Sequence, residues 1–393
     1  MKIAVVSSGI LPIPALLGGA VENLVDYYLE YNDRHKIHDI TVYSVSSAKT
    51  NQVKDTENVH YRYVDIVSWW GKLKRRIFVK THKSIYYDAY IEYYLHEVLK
   101  YLKHETYDYV ILENRPGFAI PISKVSNAKI IIHLHNDFLN HTSKLAKEIC
   151  AVAHKVITVS NFIRNRVETI GSNVPVITVH NGIEVERFYK AEPVNRTTLG
   201  FSTSDFIVLY SGRINPEKGV KELIEAFGML KEYPSIKLLI MGGSFYGNDN
   251  SDDPYINSLK ELSKDLQDKI VFTGFVPYQQ VPSYLKMADI AVVPSMWDDP
   301  FPTTVLEAMC AGLPIIATDS GGIKEACKDC AIIISKVDVV QKLHQNVLYL
   351  YNNPAVRQDM AMNGISLSNR FAKIRYAKEF YQSFNTLPFE SIK

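Results

Sequence analysis

The chain reads as an α/β protein built from two doubly wound domains, each a parallel sheet with helices on both faces. Three observations predict this. With 393 residues, the chain is longer than one hydrophobic core usually serves. Its strand-like segments are continuous Val/Ile/Leu runs, which belong to parallel strands buried on both faces. The alternation of such runs with helical periodicity breaks once, over residues 184–205, where mixed charge, Pro193 and small polar residues take over.

In the first half, strands are expected at Lys2–Ser7, Ile40–Val45, Tyr109–Leu112, Ile130–Leu134, Val156–Val159 and Val176–Val179. Helical spacing lies between them at Val21–Leu29, Tyr86–Leu102, Lys144–Ala153 and Asn161–Ile170. After the presumed linker, strands are expected at Phe206–Tyr210, Ile236–Met241, Ile270–Thr273, Ile290–Pro294, Pro314–Thr318 and Ala331–Ile334. Helices fall between these at Val220–Leu230, Tyr255–Leu266, Val281–Met287 and Thr304–Ala311. Beyond about residue 336 the pattern is helical throughout. The expected division is 1–190 for an N-terminal domain, 191–370 for a C-terminal one, and 371–393 for a final helix packing back on the first.

Composition excludes several classes. Apolar residues at 47 % and charged residues at 22 % are those of an ordinary globular protein. A formal charge of +2 is far too small for a general nucleic-acid binder. The apolar run Ile3–Val6 is too short for a signal peptide, and no apolar stretch reaches the roughly 18 residues of a membrane span, so a cytoplasmic protein is expected. Four cysteines are no disulfide framework; Cys327 and Cys330 form one C-x-x-C without a second pair, and read as two incidental thiols.

The richest segment runs P-S-M-W-D-D-P-F-P-T-T-V-L-E from Pro294 to Glu307, then through a strand to Gly321 and Gly322. Loops at the carboxyl ends of strands line the ligand crevice of an open α/β sheet. Asp299 and Glu307 are thereby placed beside a helix N-terminus, where backbone N–H groups favour an anion. Thr304 and Glu307 also fit a capping box, which would account for both without a ligand. Gly18 and Gly19 precede a helix and would let backbone approach a phosphate, or would merely turn the chain; they are not a G-x-G-x-x-G fingerprint. Glu22, one turn into that helix, fits a favourable charge at a dipole end. Arg213 and Lys218, in the loop S-G-R-I-N-P-E-K-G, pair a planar fork with a point charge, which suits a diphosphate.

His133 and His135 lie two apart on a strand and so face one side. No third metal ligand of suitable spacing is evident, since Asp137 lies beyond the strand, and a histidine donor to substrate oxygens is expected instead. Asp249, Asp252 and Asp253 read as a solvated acidic face. Residues 69–83 mix Trp, Leu and Ile with six Lys/Arg, Lys83 the last. That pattern fits a basic helix on an anionic bilayer as well as a solvated helix with a core stripe. Tyr86, Tyr87, Tyr90, Tyr93 and Tyr94 suit an interface or a sugar-lined groove.

Together these motifs resemble the retaining glycosyltransferases of the GT-B fold, specifically family 4, the glycosyl transferases of group 1. The resemblance spans the chain and is strongest over 206–325. Gly18-Gly19 matches the family's glycine pair, His135 its histidine after a strand, and Gly212, Arg213, Lys218 and Gly219 its G-R-x-x-x-x-K-G loop. Glu307 matches the second acid of its E-x7-E element; Asp299 replaces the first, and Phe301-Pro302 stands where Phe-Gly is usual. Both departures bear on recognition of the sugar ring, the second by removing a backbone N–H.

The resemblance implies two Rossmann-like domains facing each other across an interdomain cleft. It implies that Arg213 and Lys218 neutralise the donor diphosphate, that Gly18 and Gly19 bring backbone near it, and that Glu307 holds the ribose. Asp299, with Phe301, Pro302, Thr303 and Thr304, would read the transferred sugar. His135 would lie near the sugar and the incoming hydroxyl, and the base would rest against Gly274 to Val276. No metal and no cofactor are expected besides the nucleotide-diphosphate sugar, UDP being favoured. The acceptor would be a glycan or lipid-linked saccharide of a surface polysaccharide, met at the inner face of the plasma membrane through 69–83. The same scaffold also hosts sugar-nucleotide epimerases and phosphorylases, and a sugar-binding protein without catalysis stays open as an alternative.

Overall fold

The structure, a computed structural model, describes residues 1–82, 86–244 and 253–384. Lys83, Asp249 and Asp252 lie outside the described residues. The chain divides into two compact units. The first is Met1–Gly182 joined by the described residues from Lys373 on, and the second is Ile183–Ala372.

Among its described residues the first unit has seven strands: β1 (Lys2–Val6), β2 (Asp39–Val45), β3 (Val59–Val64), β4 (Tyr109–Glu113), β5 (Lys129–Leu134), β6 (Lys155–Thr158) and β7 (Val176–Thr178). They form one sheet in the order β3-β2-β1-β4-β5-β6-β7, parallel at every pairing. Ile3 to Val6 of β1 and Val110 to Leu112 of β4 are fully buried, as strands covered on both faces must be. The edge strand β3 was not foreseen. Its sequence V-H-Y-R-Y-V alternates and is only part-buried, so it lacks the continuous apolar run that marks its neighbours.

Among the described residues up to Gly182, six helices accompany these strands: α1 (Ala20–His35), α2 (Trp69–Thr81), α3 (Ala89–Leu102), α4 (Ala119–Ser123), α5 (Ala146–Val152) and α6 (Asn161–Glu168). Ser68 and Asp88 cap α2 and α3, each accepting a backbone N–H of the first turn with its side chain.

The second unit repeats the plan with β8 (Phe206–Ser211), β9 (Ile236–Met241), β10 (Ile270–Gly274), β11 (Ile290–Val293), β12 (Ile315–Thr318) and β13 (Ala331–Ile334). Their order is β10-β9-β8-β11-β12-β13, again parallel at every pairing. Its helices are α7 (Val185–Tyr189), α8 (Val220–Gly228), α9 (Pro254–Leu262), α10 (Val281–Met287), α11 (Thr303–Ala311), α12 (Ile323–Cys327), α13 (Val339–Asn352) and α14 (Pro354–Ser368). Residues 184–205, expected as a linker, instead belong to this unit. They carry α7 and a short 3-10 turn at Arg196–Leu199, which Arg196 ties down by donating to the carbonyls of Met287 and Asp205. Asp253, expected in a solvated cluster, caps α9 by accepting from Tyr255 and Ile256 N–H.

Strand order reverses between β1 and β4 in the first sheet and between β8 and β11 in the second. In open α/β sheets the ligand crevice opens at this switch point, outside the strands' carboxyl ends. Of the residues that the motifs single out as catalytic, Arg213, Lys218 and Asp299 stand on the loops after β8 and β11, Glu307 stands on α11, and His135 follows β5, one strand out from the first reversal.

The last described helix, α15 (Lys373–Gln382), packs against α1 of the first unit. Tyr376, Ala377, Phe380 and Tyr381 recur at helical spacing and are buried in one core with Tyr28 and Leu24. Phe380 stacks on Tyr28 with ring centroids 4.3 Å apart, and the Tyr381 hydroxyl donates to the Tyr28 carbonyl at 2.9 Å. Phe380→Ala is expected to cost about 3–5 kcal/mol of stability, the range for emptying a buried aromatic site. A urea titration followed by circular dichroism measures this; a loss within error of zero would mean that α15 does not hold the first unit together.

Candidate active site

In the second unit the chain leaves β8 and turns through Gly212 and Gly219, with φ of 148° and 71°. A Cβ on Gly219 would stand 1.9 Å from the Pro294 carbonyl oxygen, so only glycine lets this loop lie against the end of β11. The Glu217 carbonyl accepts the N–H groups of Met296 and Trp297 at 2.8 and 3.1 Å. The loops after β8 and β11 are thus joined by backbone, and their side chains meet. Lys218 pairs with the Asp299 carboxylate and sits over the Trp297 ring, 5.4 Å from its centroid. Asp299 is buried while Arg213, five residues before Lys218, is exposed.

The paired glycines found in the sequence hold this arrangement from beneath. Gly322 donates its N–H to the Asp299 carbonyl at 2.7 Å. At Gly321, φ is 58° and a Cβ would come within 2.3 Å of the same oxygen. Thr318 and Ser320 hydroxyls both donate to the Ser295 carbonyl at 2.6 Å.

Helix α11 begins after Pro302, with no side chain capping it. Thr304 is therefore its second residue, and the capping-box explanation of Thr304 and Glu307 fails. Glu307 is instead buried. Burial pushes its carboxyl up to about 7, against the charge of Arg187 and a hydrogen bond with the Tyr278 side chain. Arg187 lies over the Tyr278 ring at 4.5 Å and donates to the Tyr278 carbonyl at 2.8 Å. Sequence reading missed Arg187 because it lies in the stretch expected as a linker.

The remaining positions of this unit fall near by in the chain. Phe301 is buried with its ring 5.6 Å from that of Phe371, Pro302 is buried, and Thr303 and Thr304 are half-buried at the open start of α11. Gly274 ends β10 after a register shift, with φ of 69° and nothing within 4 Å of where a Cβ would stand. Val276 is half-buried two residues on.

In the first unit, Gly18 and Gly19 take φ of 82° and 111°. The Asp26 carboxylate pins the loop before them by accepting the Ala15 N–H at 2.9 Å. Glu22, read as a favourable charge at a dipole end, lies in the first turn of α1 and is buried, and a Cβ on Gly19 would lie 2.1 Å from its Oε2. Burial, helped by the charges of Glu113 and Asp26, raises the Glu22 carboxyl to about 7 against its backbone hydrogen bond and the Ser8 side chain.

His133 and His135 do face one side, and the fold supplies the partner that the sequence did not show. Register places Glu113, the last residue of β4, opposite His133 of β5. Glu113 Oε2 lies 3.1 Å from His133 Nδ1 and 2.8 Å from His135 Nε2, and Oε1 accepts the Tyr28 hydroxyl at 2.9 Å. Burial alone would raise the Glu113 carboxyl, but the two histidines outweigh it and hold it well below the carboxylate range. The signal was present: an acid directly after the apolar run Y-V-I-L.

Glu113, His133 and His135 are the one set of three donors among the described residues able to gather round a metal ion, their ligand atoms lying within 4.8 Å. Two imidazoles and a carboxylate are a zinc-type donor set. Here, however, both ring nitrogens converge on a single carboxylate oxygen at hydrogen-bond distance. Cys327 and Cys330 are buried free thiols raised by burial, Cys330 to about 11, and neither is a thiolate near neutral pH.

Comparison with known proteins follows the same lines. The profile of the family described as glycosyl transferases group 1 matches residues 192–367. The chain is 28 % identical to the putative glycosyltransferase YtcC of Bacillus subtilis, over 84 % of this chain and 77 % of that protein. It is 30 % identical to the lipopolysaccharide 1,2-N-acetylglucosaminetransferase of Salmonella typhimurium, over 52 % of each. Among solved structures, Anabaena HepE in complex with UDP-glucose superposes with a TM-score of 0.75 at 18 % identity, covering 98 % of this chain and all of that one. The stretch that matches glycosyl transferases group 1, residues 192–367, lies within the second unit and carries the paired loops after β8 and β11, and the two parallel Rossmann-like sheets give the chain the GT-B fold of a glycosyltransferase.

Proposed function

We propose that the protein transfers a sugar from a UDP-sugar to a saccharide acceptor of a surface glycan, with retention at the anomeric carbon and without a divalent cation. The observation that carries this reading is the junction of Lys218 and Asp299 at the second sheet's switch point, with Arg213 exposed beside it. HepE binds UDP-glucose, and the Salmonella relative builds lipopolysaccharide, which favours this donor and acceptor class.

In this reading Lys218 exchanges part of its pairing with Asp299 for the donor's diphosphate, and Arg213 grips the same phosphates through its fork. Freed of its cation, the Asp299 carboxylate accepts hydroxyls of the sugar ring. Pro302 offers no N–H, so the sugar meets backbone donors from Thr303 and Thr304 in the first turn of α11. Glu307 accepts the ribose hydroxyls, the base rests against Gly274 to Val276, and Gly18 and Gly19 bring backbone to the phosphates. His135 lies beside the sugar.

The acceptor hydroxyl attacks the anomeric carbon on the face that the diphosphate leaves. The bond from that carbon to the phosphate oxygen breaks, and the departing oxygen takes the acceptor proton. Fixed cations supply the charge stabilisation that a metal would otherwise provide.

The acceptor is reached at the cytoplasmic face of a membrane through α2. No described helix is long and apolar enough to cross a membrane, but α2 exposes Trp69, Trp70 and Ile77 at 66, 64 and 54 %. Lys72, Lys74, Arg76 and Lys80 are exposed on the same helix. Aromatic side chains beside a basic run suit an anionic bilayer surface.

Lys218→Ala and Glu307→Ala are each expected to abolish transfer while still unfolding cooperatively, as read by UDP release and product NMR. Full activity in either would overturn the assignment, and product formation without acceptor would mark an epimerase. Glu307 accepts hydroxyls as a carboxylate, so protonating it weakens donor binding. With its carboxyl raised to about 7, kcat/KM for the donor should fall as pH drops through neutrality, and Glu307→Gln should remove that limb. Trp69→Ala with Trp70→Ala should weaken co-sedimentation with vesicles containing anionic lipid by about tenfold or more; unchanged binding would dismiss α2 as the contact.

A further inference from the structure

We propose that Glu113 is a positioning residue that fixes His135 with its proton on Nε2, so that Nδ1 is left as the acceptor for a saccharide hydroxyl. This rests on the reading that His135 lies beside the sugar.

An ionised carboxylate can only accept, so a ring nitrogen within hydrogen-bond reach of it must carry the proton. Glu113 Oε2 faces Nε2 of His135 at 2.8 Å and Nδ1 of His133 at 3.1 Å. Its other oxygen accepts the Tyr28 hydroxyl. Three donors thus immobilise the carboxylate. The His135 ring is braced in turn against the His133 ring, with centroids 4.1 Å apart, and its backbone N–H donates to Asn114 Oδ1 at 3.1 Å.

What remains is His135 Nδ1, buried and without a hydrogen-bond partner. Once Nε2 carries the proton, Nδ1 of the neutral ring holds a lone pair. Burial, and the charge of His133, push the ring down to about 4 against the pull of Glu113, which keeps it neutral at physiological pH. An acceptor left unpaired in the interior is unfavourable, and an incoming O–H relieves it.

His133 has a matching orphan, Nε2, but its ring is fully buried with Phe380 of α15 at 5.0 Å. His133 is therefore a second brace for the carboxylate. His135 stands just past the end of β5, on the loop side.

The test needs no knowledge of the acceptor. Long-range proton–nitrogen NMR of the imidazoles in the full-length protein at about pH 7.5, with His135→Gln to assign the signal, should show His135 with protonated Nε2 and bare Nδ1. Glu113→Gln, whose side chain can donate as well as accept, should mix the two tautomers; Glu113→Asp should restore the wild-type pattern in part. A doubly protonated ring or an Nδ1–H tautomer in the wild type would overturn the proposal, even if neither variant folds. So would an equivalent of zinc whose chelation changes the signal.

In transfer assays Glu113→Gln should lower kcat by roughly 10- to 100-fold, the worth of one hydrogen bond to a charged or buried partner. Its thermal stabilisation by the nucleotide sugar should persist. Combined with His135→Ala it should cost no more than His135→Ala alone; additive losses would refute action through His135. Absence of transfer by the wild type would instead defeat the functional reading and leave the tautomer result standing.

Discussion

A carboxylate at the buried carboxyl end of a parallel strand is tolerated only where a cation or a set of N–H and O–H donors meets it. Removing an ion from water costs several kcal/mol before any pairing. Both units are organised round this constraint at the point where strand order reverses. In the second, Asp299 is met by Lys218; in the first, Glu113 is met by Tyr28, His133 and His135. The partners come from separate segments, so each acid ties together loops that the sheet alone would leave independent. Lys218 can reach Asp299 only because Gly219 lets its loop lie on β11.

The buried acids then diverge according to company rather than depth. Glu113, with three donors, stays ionised, whereas Glu22 and Glu307 are each raised to about 7 by burial that their partners only partly offset. Asp26 is raised to a similar value although it accepts the Ala15 N–H. Near neutral pH such groups exchange between accepting and donating at little cost. That is a freedom to change role with a small change of pH or of neighbouring charge. A fully paired carboxylate such as Glu113 lacks it, and serves better as a fixed point.

Much of the fold was legible because parallel strands buried on both faces must be continuous apolar runs. All twelve expected strands are present, two with their expected bounds and ten with shifts of one residue at their ends, and β3 escaped because an edge strand need not obey that rule. The donor loops were legible for a related reason: Gly219, Gly321 and Gly322 stand where backbone meets backbone, and no other residue fits the first two. Arg187 was not legible, and of Glu113 only its place directly after an apolar run was. Their partners are set by register between β4 and β5 and by the packing of α7, and neither pairing leaves a local pattern. The capping-box alternative fails because its two residues sit at the right spacing while the helix starts two residues earlier than a cap at Thr304 requires.

Arg187 also shows why residues 184–205 cannot be a passive connection. The chain enters the second unit at Ile183, whose N–H donates to the Phe371 carbonyl at 2.8 Å where the chain is about to leave it. Entry and exit are thereby pinned together, and each touches the candidate site. Four residues past the entry, Arg187 lies on Tyr278 and lowers the Glu307 carboxyl; at the exit, Phe371 packs its ring against Phe301. A flexible linker would leave Glu307 without the charge of Arg187 and Phe301 without that wall. The segment least like a motif in the sequence is therefore part of what sets the charge on the acid that α11 carries.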